Sequence, residues 1–298
     1  MLPSATEIAV ALGLGDCLVG RSHECDFPPF VRELPILTSS KLEKGLTSRQ
    51  IDDRVQEIVR QGLSVYAVDT ALLRELEPDF ILTQSQCAVC AVTPADLDDA
   101  LAQWTGISPT LLSLAPDRLE DVWDDFRRVG DAIGVHEKAE MVVRDLRARM
   151  TALKRSRTQL DAHPTVAAIE WIDPLMAAGN WVPELVEAAG GQPLFASAGQ
   201  HSPWLTWDDL IAADPDFIIA MPCGYQLPQT MVGLGPLIDH EGWSDLSAVR
   251  AGRVFAADGH HYFNRPGPRL VESAQIIASI IDNRKAHSLR SGVGWVAL

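Results

Sequence analysis

The chain has 298 residues, 47% of them apolar and 22% charged, enough to bury the cores of about two globular lobes. Its net charge of −15 disfavours nucleic acid, because phosphate binding needs clustered Lys and Arg. The longest uncharged apolar runs, such as Phe217–Met221, fall far short of the ~20 residues that span a bilayer, which excludes a transmembrane protein.

Five cysteines in a chain of this length are no disulfide framework. The opening Met1-Leu-Pro-Ser-Ala-Thr-Glu7 lacks the charged, apolar and small-residue succession of an export signal. As written the chain reads as cytoplasmic with free thiols; a truncated N-terminus would make it periplasmic or extracellular.

In chain order, an apolar helix is expected to end at Gly13, followed by short buried strands at Leu18–Gly20, Ser64–Val68 and Phe80–Thr83. Apolar residues at Leu119, Val122, Phe126, Val129 and Ile133 mark one face of a helix. Ala139, Val142, Leu146, Met150 and Leu153 mark a second, long one whose other face is charged. Strands follow at Thr165–Ile169, Phe217–Ala220 and Arg253–Ala256, with another helix ending at Gly190. Strands alternating with helices predict an α/β fold with mainly parallel sheets.

Two marks recur in the same order. Glu7-Ile-Ala-Val-Ala-Leu-Gly13 matches Glu184-Leu-Val-Glu-Ala-Ala-Gly190, and Glu77-Pro-Asp-Phe-Ile-Leu82 matches Asp214-Pro-Asp-Phe-Ile-Ile219. The repetition predicts two similar lobes: residues 1–118 and 161–284, joined by a helical connector over 119–160, with a tail over 285–298 that is expected to be mobile.

In open parallel sheets ligands bind beyond the carboxyl ends of the strands. The unusual residues follow the expected strands: Arg21-Ser-His-Glu-Cys-Asp, Gln84-Ser-Gln-Cys-Ala-Val-Cys90, Glu170-Trp-Ile-Asp-Pro174, Met221-Pro-Cys-Gly-Tyr225 and Asp258-Gly-His-His-Tyr-Phe-Asn-Arg265. This placement predicts a ligand cleft between the lobes. Cys87 and Cys90 with Cys25 and His23 are the right donors for a soft or borderline metal ion; the alternative is that Cys87 and Cys90 are small, partly buried residues at a helix start. His260 and His261 are candidate ligands to a metal-containing ligand, and adjacent histidines in a strand would point to opposite sides, leaving one to face the cleft. Trp171 directly after a strand suits a large flat ligand, whereas Trp204 and Trp207 read as a packing face at a helix start. No dinucleotide fingerprint, phosphate loop or nucleophile elbow is present.

Several segments together resemble the cobalamin-binding substrate-binding proteins of ABC transporters, and more closely their signal-less, stand-alone relatives. They are Leu2-Pro-Ser-Ala-Thr-Glu-Ile8, Leu18-Val-Gly-Arg-Ser-His-Glu-Cys-Asp26, Gln84-Ser-Gln-Cys-Ala-Val-Cys90, Glu170-Trp171, Ala178-Gly-Asn-Trp-Val-Pro-Glu184 and Asn264-Arg-Pro-Gly-Pro-Arg269. The resemblance implies a class III periplasmic-binding-protein-like fold, two α/β lobes bridged by one long helix. It implies a non-catalytic monomer that binds cobalamin or a related corrinoid and passes it to ABC transporter membrane subunits. The ligand contacts it points to are Glu24, Gln86, Glu170, Trp171, Trp181, Tyr225, His260, His261, Tyr262, Asn264 and Arg265. The alternatives are a binder of a metal ion or metal chelate, siderophore or haem, through the Cys/His cluster, or a cytoplasmic enzyme on the same fold.

Overall fold

The computed structural model describes residues 1–43, 45–61, 64–84, 97, 108–158, 163–282 and 291–298. They fall into two compact units: Met1–Leu46, Gln50–Pro116 and Glu120–Arg144 form the first, and Thr47–Arg49, Asp117–Leu119 and Asp145–Leu298 the second. Among the described residues no helix is long and apolar enough to cross a membrane.

The first unit opens with α1 (Pro3–Ala11), where Pro3 takes the first helical position that its missing N–H suits. α2 (Ser48–Arg60) and α3 (Thr70–Glu75) follow, the latter capped by the Asp69 carboxylate on the Leu72 N–H at 2.9 Å. β1 (Thr38–Ser40) pairs antiparallel with β2 (Tyr66–Val68), and β3 (Phe80–Gln84) pairs parallel with β4 (Thr110–Leu114). Leu37, Leu73, Ile81 and Leu97 form a core cluster. The strand expected at Leu18–Gly20 is absent. A 3₁₀ turn at Gly15–Cys17 precedes that segment, and only the following Arg21 pairs with a neighbour, through bonds to Pro35 and Leu37. The polar Thr-Ser-Ser of β1 carried no strand signal.

The two expected helices are present as α4 (Leu119–Ile133) and α5 (His136–Arg157). α5 has 22 residues, about 33 Å of helix, and the division between units falls within it at Arg144 and Asp145. Its buried positions are Ala139, Val143, Leu146 and Met150; the seam runs through Val143, with Val142 only half-buried.

The second unit holds a seven-stranded sheet in the order β10 (Ser291–Gly292), β11 (Trp295–Ala297), β9 (Val254–Ala257), β8 (Phe217–Ala220), β5 (Thr165–Trp171), β6 (Met176–Ala177), with β7 (Gln192–Pro193) also on β5. β5, β8 and β9 are mutually parallel, and so is β7; the outer additions β6 and β11 are antiparallel. Every residue of β8 and β9 is buried, which is why these strands read as continuous apolar runs. Around the sheet lie α6 (Val182–Ala188), α7 (Trp207–Ala213), α8 (Leu227–Gly233), α9 (Gly235–Ile238), α10 (Ser247–Arg250) and α11 (Leu270–Asp282). The segment expected to be a mobile tail instead ends in a hairpin on the sheet edge, with Trp295 2% exposed against Phe255.

The repeated marks share a backbone. α1 and α6 both end with paired bonds, Gly13 to Val10 and Leu14 to Ala9 in one, Gly190 to Glu187 and Gly191 to Val186 in the other. Both glycines are left-handed, at φ +81° and +85°, as this cap requires. Glu77 and Asp214, ahead of the repeated strands, are also left-handed, at φ 42° and 40°.

Arg157 ties three helix ends of the second unit. Its guanidinium, 11% exposed, makes two 2.8 Å bonds to Asp282 and donates to the carbonyls of Ala189 and Ala278 at 3.0 and 3.1 Å. Arg157→Leu removes a donor set that no aliphatic chain replaces, and is expected to cost roughly 2 kcal/mol by urea denaturation, at the lower end for charged partners because Asp282 is half exposed. An unchanged midpoint would show that water serves those carbonyls equally well.

Candidate functional site

In the second unit the candidate residues come together beyond the carboxyl ends of β5, β8 and β9. Met221 N–H bonds to the Ile169 carbonyl at 2.8 Å and Cys223 N–H to that of Glu170 at 3.0 Å, which lays the chain after β8 beside the end of β5. Tyr225 then meets Trp171 edge-on, ring centres 5.6 Å apart. The Tyr225 carbonyl accepts the His260 N–H at 3.0 Å, which links the chain after β9 to the same place. Burial pushes the Tyr225 phenol above its usual range. Trp171 is 9% exposed, and its Nε1–H is buried without a hydrogen-bond partner among the described residues.

The histidines are not in a strand. Gly259–Phe263 forms a π-helical turn closed by the Asn264 N–H on the Gly259 carbonyl at 3.0 Å. The turn replaces the opposite-facing arrangement expected of a strand with two rings 4.8 Å apart, edge to face. Asp258 caps the turn: its carboxylate accepts the His261 N–H at 2.9 Å and lies 2.8 Å from His261 Nδ1. Burial by itself would raise the Asp258 carboxyl, but the hydrogen bonds and charge of His261 outweigh it and hold it below the usual range. Arg265, 4% exposed, has a guanidinium N–H directed to His260 Nε2. Arginine only donates, so that nitrogen is the acceptor in this contact. Trp181 is packed beneath the turn, its indole N–H donating to the Phe263 carbonyl at 2.9 Å. The Tyr262 ring is covered by the Arg269 guanidinium at 5.5 Å.

Glu170 sits at the end of β5. Its carboxylate accepts from the Ser202 hydroxyl at 2.7 Å, and that oxygen accepts the Gly179 N–H at 3.0 Å. Burial raises the Glu170 carboxyl above its ordinary range, against the opposing pull of Ser202, His201 and Gly179.

In the first unit, His23, Glu24 and Cys25 lie in the loop after Arg21. His23 Nδ1 is 2.7 Å from the Thr38 hydroxyl, and burial, then Arg21, lowers the imidazole. Cys25 is 1% exposed, its sulfur 3.1 Å from the Thr6 hydroxyl. Gln86, Cys87 and Cys90 lie outside the described residues. Of the paired tryptophans, Trp207 stacks on His240 with centres 3.7 Å apart, while Trp204 is 59% exposed. Ser202 and Asp258 were not singled out as site residues. Asp258 had a signal, an acid three positions ahead of His261 where a cap belongs; Ser202, 32 positions from Glu170, had none.

The sequence matches the periplasmic binding protein family over residues 2–260. It is 23% identical over 286 residues to the vitamin B12-binding protein of Vibrio cholerae, covering 94% of this chain and 87% of that one. It is 22% identical to the uncharacterised ABC transporter substrate-binding lipoprotein YvrC of Bacillus subtilis, covering 94% and 78%. Solved structures of similar fold include the haem-binding protein RhuT of Roseiflexus, with a TM-score of 0.68, 23% identity and 95% and 96% coverage. The periplasmic vitamin B12-binding protein BtuF of V. cholerae superposes with a TM-score of 0.66 at 19% identity, covering 96% of each chain. The chain therefore belongs to the periplasmic binding protein family and has its class III fold.

Proposed function

We propose that this chain binds cobalamin without chemical turnover, at the carboxyl ends of β5, β8 and β9, and delivers it to the membrane subunits of an ABC transporter. The observation that carries the reading is the group formed by Trp171, Tyr225 and the His260–His261 turn. Aromatic faces suit a broad, partly apolar macrocycle, and the orphaned Trp171 N–H would be satisfied by a peripheral carbonyl such as cobalamin's side-chain amides supply. Asp258 on His261 Nδ1 is the arrangement that orients a metal-bound imidazole, with Nε2 as the donor nitrogen. Such a nitrogen favours a macrocycle with a metal at its centre, which makes haem the second reading. The vitamin B12-binding relatives support the corrinoid, and the lipoprotein relative supports work outside the cytoplasmic membrane.

Absorbance titration with cyanocobalamin and, separately, with haemin tests this. Cyanocobalamin is expected to bind with one saturable site, and Trp171→Ala to weaken it roughly ten- to a hundredfold, the ~1.5–3 kcal/mol of a truncated aromatic anchor. Saturable haemin binding with no retention of cyanocobalamin would transfer the assignment to haem; retention of neither would end it.

A further inference from the structure

We propose that the C-terminal hairpin Ser291–Ala297 positions the Asp258–His261 pair, and so belongs to the binding apparatus and not only to the sheet edge. The inference rests on the ligand reading above only for its consequence on affinity; the positioning itself is a property of the free protein.

β11 lies antiparallel on β9 with Trp295 opposite Ala257, Val296 opposite Ala256 and Ala297 opposite Phe255. Covering a sheet edge requires no more than this ladder. The pairing runs on past the strand, however: the Asp258 N–H donates to the Gly294 carbonyl at 2.8 Å. Asp258 is the residue whose carboxylate takes both the backbone N–H of His261 and the approach of its Nδ1. The hairpin thus fixes the backbone of the residue that orients the imidazole.

A second contact reaches the turn itself. Gly294 is left-handed at φ +73°, and a Cβ there would lie 2.8 and 3.0 Å from the Tyr262 ring and 3.2 Å from Ile276. The Tyr262 ring therefore rests on bare backbone at the hairpin tip. The tip is held in turn by Trp295, whose indole would meet a Cβ on Gly292 at 2.3 Å and whose ring stands edge-on to Phe255 at 5.5 Å. Anchor, carbonyl and tip act together on one five-residue turn, and none of them is in the group argued to touch ligand.

The test is the ¹⁵N signature of the His261 ring, which reports whether Nδ1 or Nε2 carries the proton, recorded on the full chain without ligand. Gly294→Ala, which is strained at this φ and presses on Tyr262, is expected to shift the signature away from the Nδ1-protonated form. Val293→Ala, at a position 75% exposed on the same hairpin, is expected to leave it unchanged. If Gly294→Ala does not fold, Trp295→Phe, which keeps a ring against Phe255 but shortens the anchor, is read in the same way. An unchanged His261 signature in the folded variant overturns the proposal, because loss of edge cover would lower stability without altering the tautomer. With cyanocobalamin added, Gly294→Ala is expected to bind about tenfold more weakly. Failure of the wild-type chain to bind it would strike the ligand reading alone.

Discussion

Between pH 4 and pH 7 the wild-type protein is expected to lose stability relative to an Asp125→Asn variant, and above pH 7 the gap should stay constant. Asp125 lies on the buried face of α4, beside Val122, Phe126 and Val129, with its side chain 5% exposed. Burial raises its carboxyl from 3.8 to about 7; Arg128, 2.9 Å away, pulls down, and Asp121 and Asp124 push up. Arg128 is itself half exposed and also donates to the Ser113 carbonyl at 2.8 Å. The folded value exceeds the unfolded one, so across the window between them the folded state holds more protons and stability falls as pH rises. Below that window the carboxyl is neutral in both states and has no linked effect. Full ionisation costs on the order of 4 kcal/mol. An uncharged amide of the same shape avoids most of this, so Asp125→Asn should be more stable by about 2–3 kcal/mol at pH 8 and near wild type at pH 4. Urea midpoints across pH 4 to 8 read the difference. Parallel profiles for the two proteins would mean that Asp125 ionises freely in the fold.

Gly259→Ala, by contrast, should be damaging, and for steric reasons alone. A Cβ at this position would stand 2.2 Å from the Pro222 carbonyl oxygen, 2.6 Å from that of Met221 and 2.8 Å from Asn264 Oδ1. The first two are backbone atoms, and the Met221 N–H is bonded to β5, so they cannot swing aside as a side-chain tip would. The turn has to move instead, and it carries His260 and His261. Overpacking of this kind costs roughly 1–3 kcal/mol, which lowers Tm by several degrees in a unit of this size. The bond between the His260 N–H and the Tyr225 carbonyl should open with it, so ligand affinity is expected to fall even at temperatures where the variant is fully folded. Calorimetry and a cyanocobalamin titration on the same sample separate the two effects. Wild-type values in both would show that the turn has room to spare.

Much of the architecture was legible because it follows from local rules. The apolar runs of β5, β8 and β9, the helix ends at Gly13 and Gly190, and the repeated Pro-Asp strand entries each announce themselves within a few residues. The rule that ligands meet the carboxyl ends of parallel strands pointed to the segments that carry Glu170, Trp171, Tyr225 and His260 as candidates. What escaped was short or non-local. β1 is three mostly polar residues that form a strand only because β2 pairs with them. The hairpin after residue 290 is short and interrupted by Gly292 and Gly294, and its order comes from pairing with β9.

The sequence by itself determined an α/β chain with buried parallel strands and one long amphipathic helix, and that imidazole and indole groups follow the strands of the second unit, since periodicity and turn chemistry act between near neighbours. Only the tertiary structure decided how those groups are used. Asp258 orients His261 because a π-helical turn, not a strand, brings them together. Cys25 is closed off against Thr6, and Glu170 is held by Ser202. Each of these depends on chains remote in sequence or on a local conformation with no composition signal, and hydrogen bonds act over about 3 Å, a precision that residue spacing does not encode.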